Sequence, residues 1–343
     1  MGCTFQYDNE KNATMFIRKV TKFITLVRIL ANGSATTEAL VIIPASGESK
    51  LNDKGKLPRY TEQNPTVHIF SAMTDIKKQT CAVVGNPIEH SRSPVIHQSF
   101  AKQCGLSLDY QKILATPEDF ETRVRRFFEQ GGIGLNITLP FKETAHALCD
   151  QLSDVAAACG SVNTLSMTQQ GQLLGDTTDG AGLINDLKHK DISIAGKAVL
   201  VLGAGGASRS ILPQLLLAGA DVFLVNRTLS KALELKRQFA EYSNLSVLNT
   251  EQDALSSIDL VINTMSSQGE VWLEKLNLSD WSSVCVYDIS YGQRAEAFLS
   301  YCQNKGCLAS YDGWGMLVEQ AALSFFCWHG KMPDTQTLTI PSE

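Results

Sequence analysis

Gly196-Lys-Ala-Val-Leu-Val-Leu-Gly-Ala-Gly-Gly206 decides the fold of this chain. Five consecutive apolar residues, Ala198 to Leu202, have the length and continuity of a strand buried on both faces. The glycines that follow suit a tight turn, and a helical pattern opens behind them. Asp221-Val-Phe-Leu-Val225 then reads as a second strand at βαβ spacing, and Ile258–Asn263 and Val284–Asp288 as further parallel strands. The turn Gly203-Ala204-Gly205-Gly206-Ala207-Ser208 approximates the dinucleotide fingerprint, with serine at the third glycine position. Backbone N–H groups at such a helix N-terminus suit a pyrophosphate. At the end of the second strand, where an NAD site places a carboxylate, stand Asn226, Arg227 and Thr228. A guanidinium pairs with a ribose 2′-phosphate where a carboxylate would repel it. Lys231 adds a second cation, so the pattern predicts NADP.

N-terminal to this unit, strands and helices also alternate. Cys81–Gly85 reads as a buried strand. Ser93-Pro94 predicts a helix start, with serine as N-cap and proline at the first helical position. Thr116-Pro-Glu-Asp119 predicts another, with a capping-box-like layout. Ser161–Leu165 and Gln172–Leu174 read as paired strands around Gly171. Residues 316–328 form a nearly all-apolar helical pattern stopped by Gly330, which predicts a buried helix.

The chemistry gathers at Asn136-Ile-Thr-Leu-Pro-Phe-Lys142. Ile133, Leu135, Ile137 and Leu139 alternate onto one face, and Asn136 and Thr138 share the other. Pro140 stops the strand, and the pattern after it puts Lys142 in or just before the first turn of a helix. The positive end of a helix disfavours another cation, so the amine proton is expected to leave more easily, as a general acid/base requires. Asp179 falls just before the next helix, where two domains would meet. It suits a ligand site or a simple N-cap. Ser91 and Ser93, with first-turn N–H groups, suit a carboxylate ligand, although capping explains Ser93 equally well.

The 343 residues, 44% apolar and 19% charged, are enough for two domains with cores of their own. A net charge of −5 without a basic stripe argues against nucleic acid. Nine cysteines with no C-x-x-C spacing fit a reducing cytoplasm rather than disulfides or zinc. No apolar run is long enough to span a membrane. The first 72 residues are different, with nine Lys/Arg against six Asp/Glu. Phe16, Val20, Phe23, Ile24, Val27 and Leu30 lie at helical spacing beside basic residues, which predicts a basic amphipathic helix of the targeting or membrane-surface kind. Residues 31–72 read as a flexible linker, and Met73 as a natural start. Gln6 stands where a myristoylation signal needs Ser or Thr. The segment is therefore expected to be a poorly structured extension or a mis-start.

From about residue 80 to 330 the chain resembles shikimate dehydrogenase. The motifs are Gly85-Asn-Pro87, Ser91-Arg-Ser-Pro94, Asn136–Lys142, Val162-Asn-Thr164, Gly175-Asp-x-Thr-Asp-Gly180, Gly203–Ala207, Asn226-Arg-Thr228 and Gly315-Met-Leu-Val-x-Gln320. The resemblance implies an α/β two-domain protein. A catalytic domain (73–178 plus 314–343) would precede and follow a doubly wound Rossmann-type NADP-binding domain (179–313), with the N-terminal extension unmatched. It implies a cytoplasmic, NADP-linked enzyme, monomer or homodimer, interconverting 3-dehydroshikimate and shikimate in aromatic amino-acid biosynthesis. Nucleic acid, metal and stable membrane association are not expected.

By the same resemblance, Lys142 and Asp179 form the catalytic pair. Ser91, Ser93 and Tyr291 would hold the substrate carboxylate, and Thr138, Asn163, Asp179 and Gln320 its hydroxyls. Gly203, Ala204, Gly205, Gly206, Ala207, Asn226, Arg227, Thr228 and Lys231 would bind the cofactor, with Ile289 and Gly313 near the nicotinamide. Asp154, where a glutamate is common, is counted with the cofactor side. Thr177, Lys231, Thr264 and Trp314 also depart from the family pattern and bear on affinity more than on reaction type. Two alternatives are a paralogue using NAD and quinate, and a silent dinucleotide-binding regulator. Asn226-Arg227 argues against the first, and the presence of both Lys142 and Asp179 against the second.

Overall fold

A computed structural model describes residues 78–249, 257–276, 278 and 280–338, and in the first 77 only the backbone of four strands. Those are β1 (Cys3–Tyr7), β2 (Ala13–Thr21), β3 (Ile24–Ala31) and β4 (Thr36–Val41), an antiparallel sheet in that order. They form a unit separate from Lys78–Glu343. The amphipathic helix expected around residues 16–30 is therefore replaced by β2 and β3, and β4 falls in the expected linker. The physical reason lies in residue type: Ile17, Val20, Thr21, Ile24, Thr25, Val27 and Ile29 are β-branched, and their stiff side chains favour strands over helix. The rest of the linker, and Met73, lie outside the described residues.

The second unit begins with β5 (Gln79–Gly85), α1 (Ser93–Gln103), β6 (Leu108–Leu114), α2 (Phe120–Glu129), β7 (Gly134–Ile137) and α3 (Lys142–Leu148). It continues through β8 (Gln151–Leu152), α4 (Asp154–Cys159), β9 (Thr164–Met167) and β10 (Leu173–Asp176). The strands make a mixed six-stranded sheet in the order β6-β5-β7-β9-β10-β8. Alternation along β5 divides its side chains between two cores. Ala82 and Val84 join the phenylalanines of α2 and Phe141, the N-cap of α3, while Cys81 and Val83 face Ile88 and Tyr110.

α5 (Asp179–His189) then leads into β11 (Ala198–Leu202), α6 (Gly206–Leu217), β12 (Asp221–Val225), α7 (Leu229–Gln238) and β13 (Leu245–Val247). β14 (Leu260–Asn263), α8 (Gly269–Leu276), β15 (Cys285–Asp288), α9 (Gln293–Asn304) and β16 (Ala309–Tyr311) complete an all-parallel sheet. Its order, β13-β12-β11-β14-β15-β16, is the doubly wound dinucleotide-binding arrangement. Val199 and Val201 pack toward α5, α6 and α7, and Leu200 and Leu202 toward α8 and α9, so β11 is apolar on both faces.

The chain returns through α10 (Trp314–His329), closed by Gly330 in the left-handed region at φ 63°. Met316 belongs to the second sheet's core, and Val318, Ala321, Ala322 and Phe325 pack on Ile96 and Phe100 of α1. This helix is buried along most of its length, although Phe326 is 47% exposed. Gly182 of α5 lets the two helices approach, because a Cβ there would lie 2.7 Å from the Gln320 nitrogen. No helix among the described residues is long and apolar enough to cross a membrane.

Candidate active site

A cleft of about 280 Å³ opens between the two sheets of the second unit. Its floor is built from helix starts. Lys142 is the first residue of α3 and Asp179 the first of α5, so both side chains leave the backbone where a strand has just ended. Lys142 Nζ lies 2.5 Å from Asp179 Oδ2. The other oxygen, Oδ1, accepts from Asn163 Nδ2 at 2.7 Å. Asp179 is the first helical residue and not the N-cap, which is Thr178, and its carboxylate turns to the cleft.

Beneath this pair lies a buried polar network. Asn163 Nδ2 also reaches Gln320 Oε1 at 3.3 Å, and Asn163 Oδ1 accepts from the Thr178 backbone at 2.9 Å. Asn136 Oδ1 accepts from Tyr110 Oη at 2.6 Å, and its amide donates to Ser324 Oγ at 2.9 Å and to Asn163 O at 3.2 Å. Burial raises the Tyr110 phenol well above its ordinary value, keeping it a neutral donor. Thr138 lines the cleft beside these groups.

Ser91, Ser93 and Tyr291 also line the cleft. The helix start predicted at Ser93 is displaced. Arg92 is the N-cap, and Ser93 and Pro94 are the first two helical residues. Thus Ser93 Oγ does not cap the helix; it lies 3.3 Å from Ser91 Oγ, and both face the cleft. A parallel shift occurs at α2, which starts after Asp119, with the Thr116 backbone donating to Asp119 Oδ1. Burial raises the Tyr291 phenol, opposed by the Arg92 backbone and by the charges of Arg294 and Arg92.

On the second sheet, Gly203 takes φ 114°, and a Cβ there would fall 2.3 Å from Thr264 Oγ1. Ser208, in the place of the third fingerprint glycine, donates to Gly203 O at 2.7 Å and so ties the turn to its own helix. Ala204 N donates to Asn226 Oδ1 at 3.1 Å, which fastens the turn to the end of β12. A Cβ at Gly205 or Gly206 would meet nothing within 4 Å, so open space fronts the α6 N-terminus. That cradle fits a pyrophosphate, and the exposed Arg227, Thr228 and Lys231 beside it fit a ribose 2′-phosphate.

Ala207, Ile289 and Gly313 line the same cleft as Lys142. Gly313 has no room for a side chain, since its Cβ would lie 2.1 Å from Ile289 O. Asp288 holds this wall. Its Oδ2 accepts from Asn263 Nδ2 at 2.8 Å, its Oδ1 from Ser290 N at 2.7 Å, and burial raises its carboxyl pKa. One sequence-derived candidate lies apart: Asp154 is exposed in the first turn of α4 and does not line the cleft.

Sequence reasoning overlooked Tyr110, Ser324, His90 and Arg294. Ser324 carried a signal, as a lone small polar residue in the apolar run Ala321–Phe326 of α10. The others carried none that local pattern provides.

A doubly wound sheet with a glycine cradle, joined at a cleft to a second α/β layer bearing an amine–carboxylate pair, is the architecture of a nicotinamide-dinucleotide oxidoreductase. Comparisons with known proteins narrow that class. Residues 83–165 match the shikimate dehydrogenase substrate-binding domain, 186–291 the shikimate/quinate 5-dehydrogenase family, and 313–338 the shikimate 5′-dehydrogenase C-terminal domain. Among solved structures, an Ael1 enzyme from Pseudomonas putida is 35% identical with a TM-score of 0.69, covering 78% of this chain and 100% of its own. Shikimate dehydrogenase from Aquifex aeolicus is 32% identical with a TM-score of 0.68, covering 76% of this chain and 95% of its own. Shikimate 5-dehydrogenase from Thermus thermophilus, solved with NADP(H) and shikimate, is 32% identical with a TM-score of 0.67, covering 75% and 96%. The chain belongs to the shikimate dehydrogenase family of oxidoreductases.

Proposed function

We propose that this protein interconverts 3-dehydroshikimate and shikimate with NADP(H), using Lys142 and Asp179 as its acid/base pair. The observation that carries the reading is the 2.5 Å contact between Lys142 Nζ and Asp179 Oδ2 in a cleft also lined by two serines and a tyrosine. In this reading the sheet of β5–β10 with α10 is the substrate side, and the sheet of β11–β16 is the cofactor side, dividing near residues 178 and 313.

NADPH, when bound, supplies the hydride. Reduction of a ring ketone builds negative charge on its oxygen, and Lys142 Nζ delivers the proton that neutralises it. Asp179 Oδ2 orients the ammonium, while Asn163 fixes the opposite oxygen of the same carboxylate. Ser91, Ser93 and Tyr291 grip the carboxylate, and Thr138, Asn163 and Gln320 the ring hydroxyls. The ring is thereby held with its carbonyl at reacting distance. In oxidation the same groups run in reverse, Lys142 accepting the hydroxyl proton.

NADP is preferred in this reading because Arg227 and Lys231 stand where an NAD site has a carboxylate. The test is initial-rate oxidation of shikimate and of quinate, each with NADP⁺ and NAD⁺. Turnover dominated by shikimate with NADP⁺ supports the proposal; a preference for NAD⁺ or quinate moves the protein to the paralogue class. A folded sample that binds NADPH yet turns over no pair would make it a silent regulator.

A further inference from the structure

Arg294, in the first turn of α9, lines the cleft beside Ser91 and Tyr291. The cleft's lysine and arginine are treated differently by the fold. Lys142 faces Asp179 at 2.5 Å, whereas none of the ion pairs among the described residues includes Arg294. A guanidinium can only donate, and the side-chain contact described for it is with His90, Nη1 to Nε2 at 3.1 Å. His90 accepts there as a neutral ring, because burial and the Arg294 charge hold its pKa below the ordinary value, with Glu89 and Lys112 the other charged groups nearby. The first turn of a helix is also where the backbone dipole disfavours a cation. Thus an exposed charge that no ion pair among the described residues matches, in a place the helix disfavours, is braced by an uncharged ring that lines the same cleft. Its field reaches the Tyr291 phenol.

We infer that Arg294 is an anion-receiving, specificity-determining residue. It joins Ser91, Ser93 and Tyr291 in binding the carboxylate of a ring substrate and selects ring acids over uncharged polyols or esters. This rests on the functional reading above and adds to it a residue that supplies the counter-charge the serines lack. The guanidinium remains charged at all working pH values, so the selection is for a permanent anion.

Arg294→Gln and Arg294→Lys test it, with steady-state kinetics for shikimate at saturating NADP⁺ and isothermal titration of shikimate into each protein. Thermal melts confirm that each variant folds. Loss of one charge-assisted contact predicts a rise of about ten-fold or more in shikimate KM and Kd for Arg294→Gln, larger than any fall in kcat. Arg294→Lys should recover part of the loss, the salt dependence of KM should weaken in Arg294→Gln, and KM for NADP⁺ should stay put. Shikimate methyl ester should bind wild type and Arg294→Gln alike. A wild-type enzyme active on shikimate, with Arg294→Gln indistinguishable from it or impaired only toward NADP⁺, overturns the inference and leaves the functional reading standing. Wild type that neither turns over nor binds shikimate overturns both.

Discussion

Asn163 donates its amide to Asp179 Oδ1 at 2.7 Å, leaving the carboxylate's other oxygen to Lys142 at 2.5 Å. The carboxylate is therefore held from both sides by groups from separate places, the residue just before β9 and the start of α3. Asn163→Asp would set a second carboxylate against the first, and two such groups cannot both ionise easily at that separation. We expect kcat to fall and the acidic limb of the pH–rate profile to move to higher pH. A profile identical to wild type would show that Asn163 does not position Asp179.

Lys142→Ala removes the ammonium that contacts Asp179. General acid/base groups contribute about 10²- to 10⁴-fold, so kcat should drop within that range. Shikimate Kd, measured by titration, should change far less. An unaltered kcat would remove Lys142 from the proton path.

Arg227→Asp replaces the exposed guanidinium after β12 with a carboxylate. The ratio of kcat/KM for NADP⁺ over NAD⁺ should fall by roughly 10-fold or more, through loss of a charged contact and gain of repulsion with the 2′-phosphate. If NAD⁺ and NADP⁺ weaken together, the residue serves the adenine end generally and not the phosphate.

His97 is fully buried in α1, stacked on Tyr110 with centroids 4.3 Å apart and on Trp328 at 5.4 Å. Burial, helped by the nearby His329, pushes its pKa down to about 3. The native ring is neutral while the unfolded ring titrates near its ordinary value. The unfolded state therefore binds the extra proton between those limits, and stability falls as pH drops from about 6.5 toward 3, by up to roughly 5 kcal/mol. Chemical denaturation at pH 7.5 and pH 5 should show the loss, and His97→Phe should flatten it. An equally steep loss in His97→Phe would assign the acid sensitivity elsewhere.

Gly313→Ala asks for a methyl group 2.1 Å from Ile289 O, which is backbone and cannot rotate aside. The overpacking should cost about 1–3 kcal/mol and displace the wall facing Lys142. A lower Tm together with a raised NADP⁺ KM is the expected pair of results. A Tm equal to wild type would mean that this wall yields freely.

The second sheet was legible in the sequence because its strands are buried on both faces. Val199 to Leu202 need no alternation to be recognised, and Gly203 to Gly206 punctuate them. The segment at 13–31 misled because Phe16, Val20, Phe23, Ile24, Val27 and Leu30 satisfy a helical period, while the β-branching of Val20, Ile24 and Val27 among them, and of Ile17, Thr21, Thr25 and Ile29 between them, favours strands. Lys142 was readable as a helix-start lysine because Pro140 marks the break before it. What supports it was not readable: Asn136 finds Ser324 across 188 positions of sequence, and Arg294 finds His90 across 204. Such meetings are set by how the two sheets close on each other, and no local spacing encodes that.

Ser93 occupies the first helical position of α1, and the N-cap belongs to Arg92. Its hydroxyl is consequently not part of what holds the helix together. Under the proposed reading Ser93→Ala should weaken the grip on the acid, and any fall in melting temperature should come from its part-buried contact with Ser91 rather than from a lost cap. Under the proposed reading, contact with the ligand and the capping of α1 thus fall to different residues, so a change at Ser93 reaches the ligand without unmaking the start of the helix.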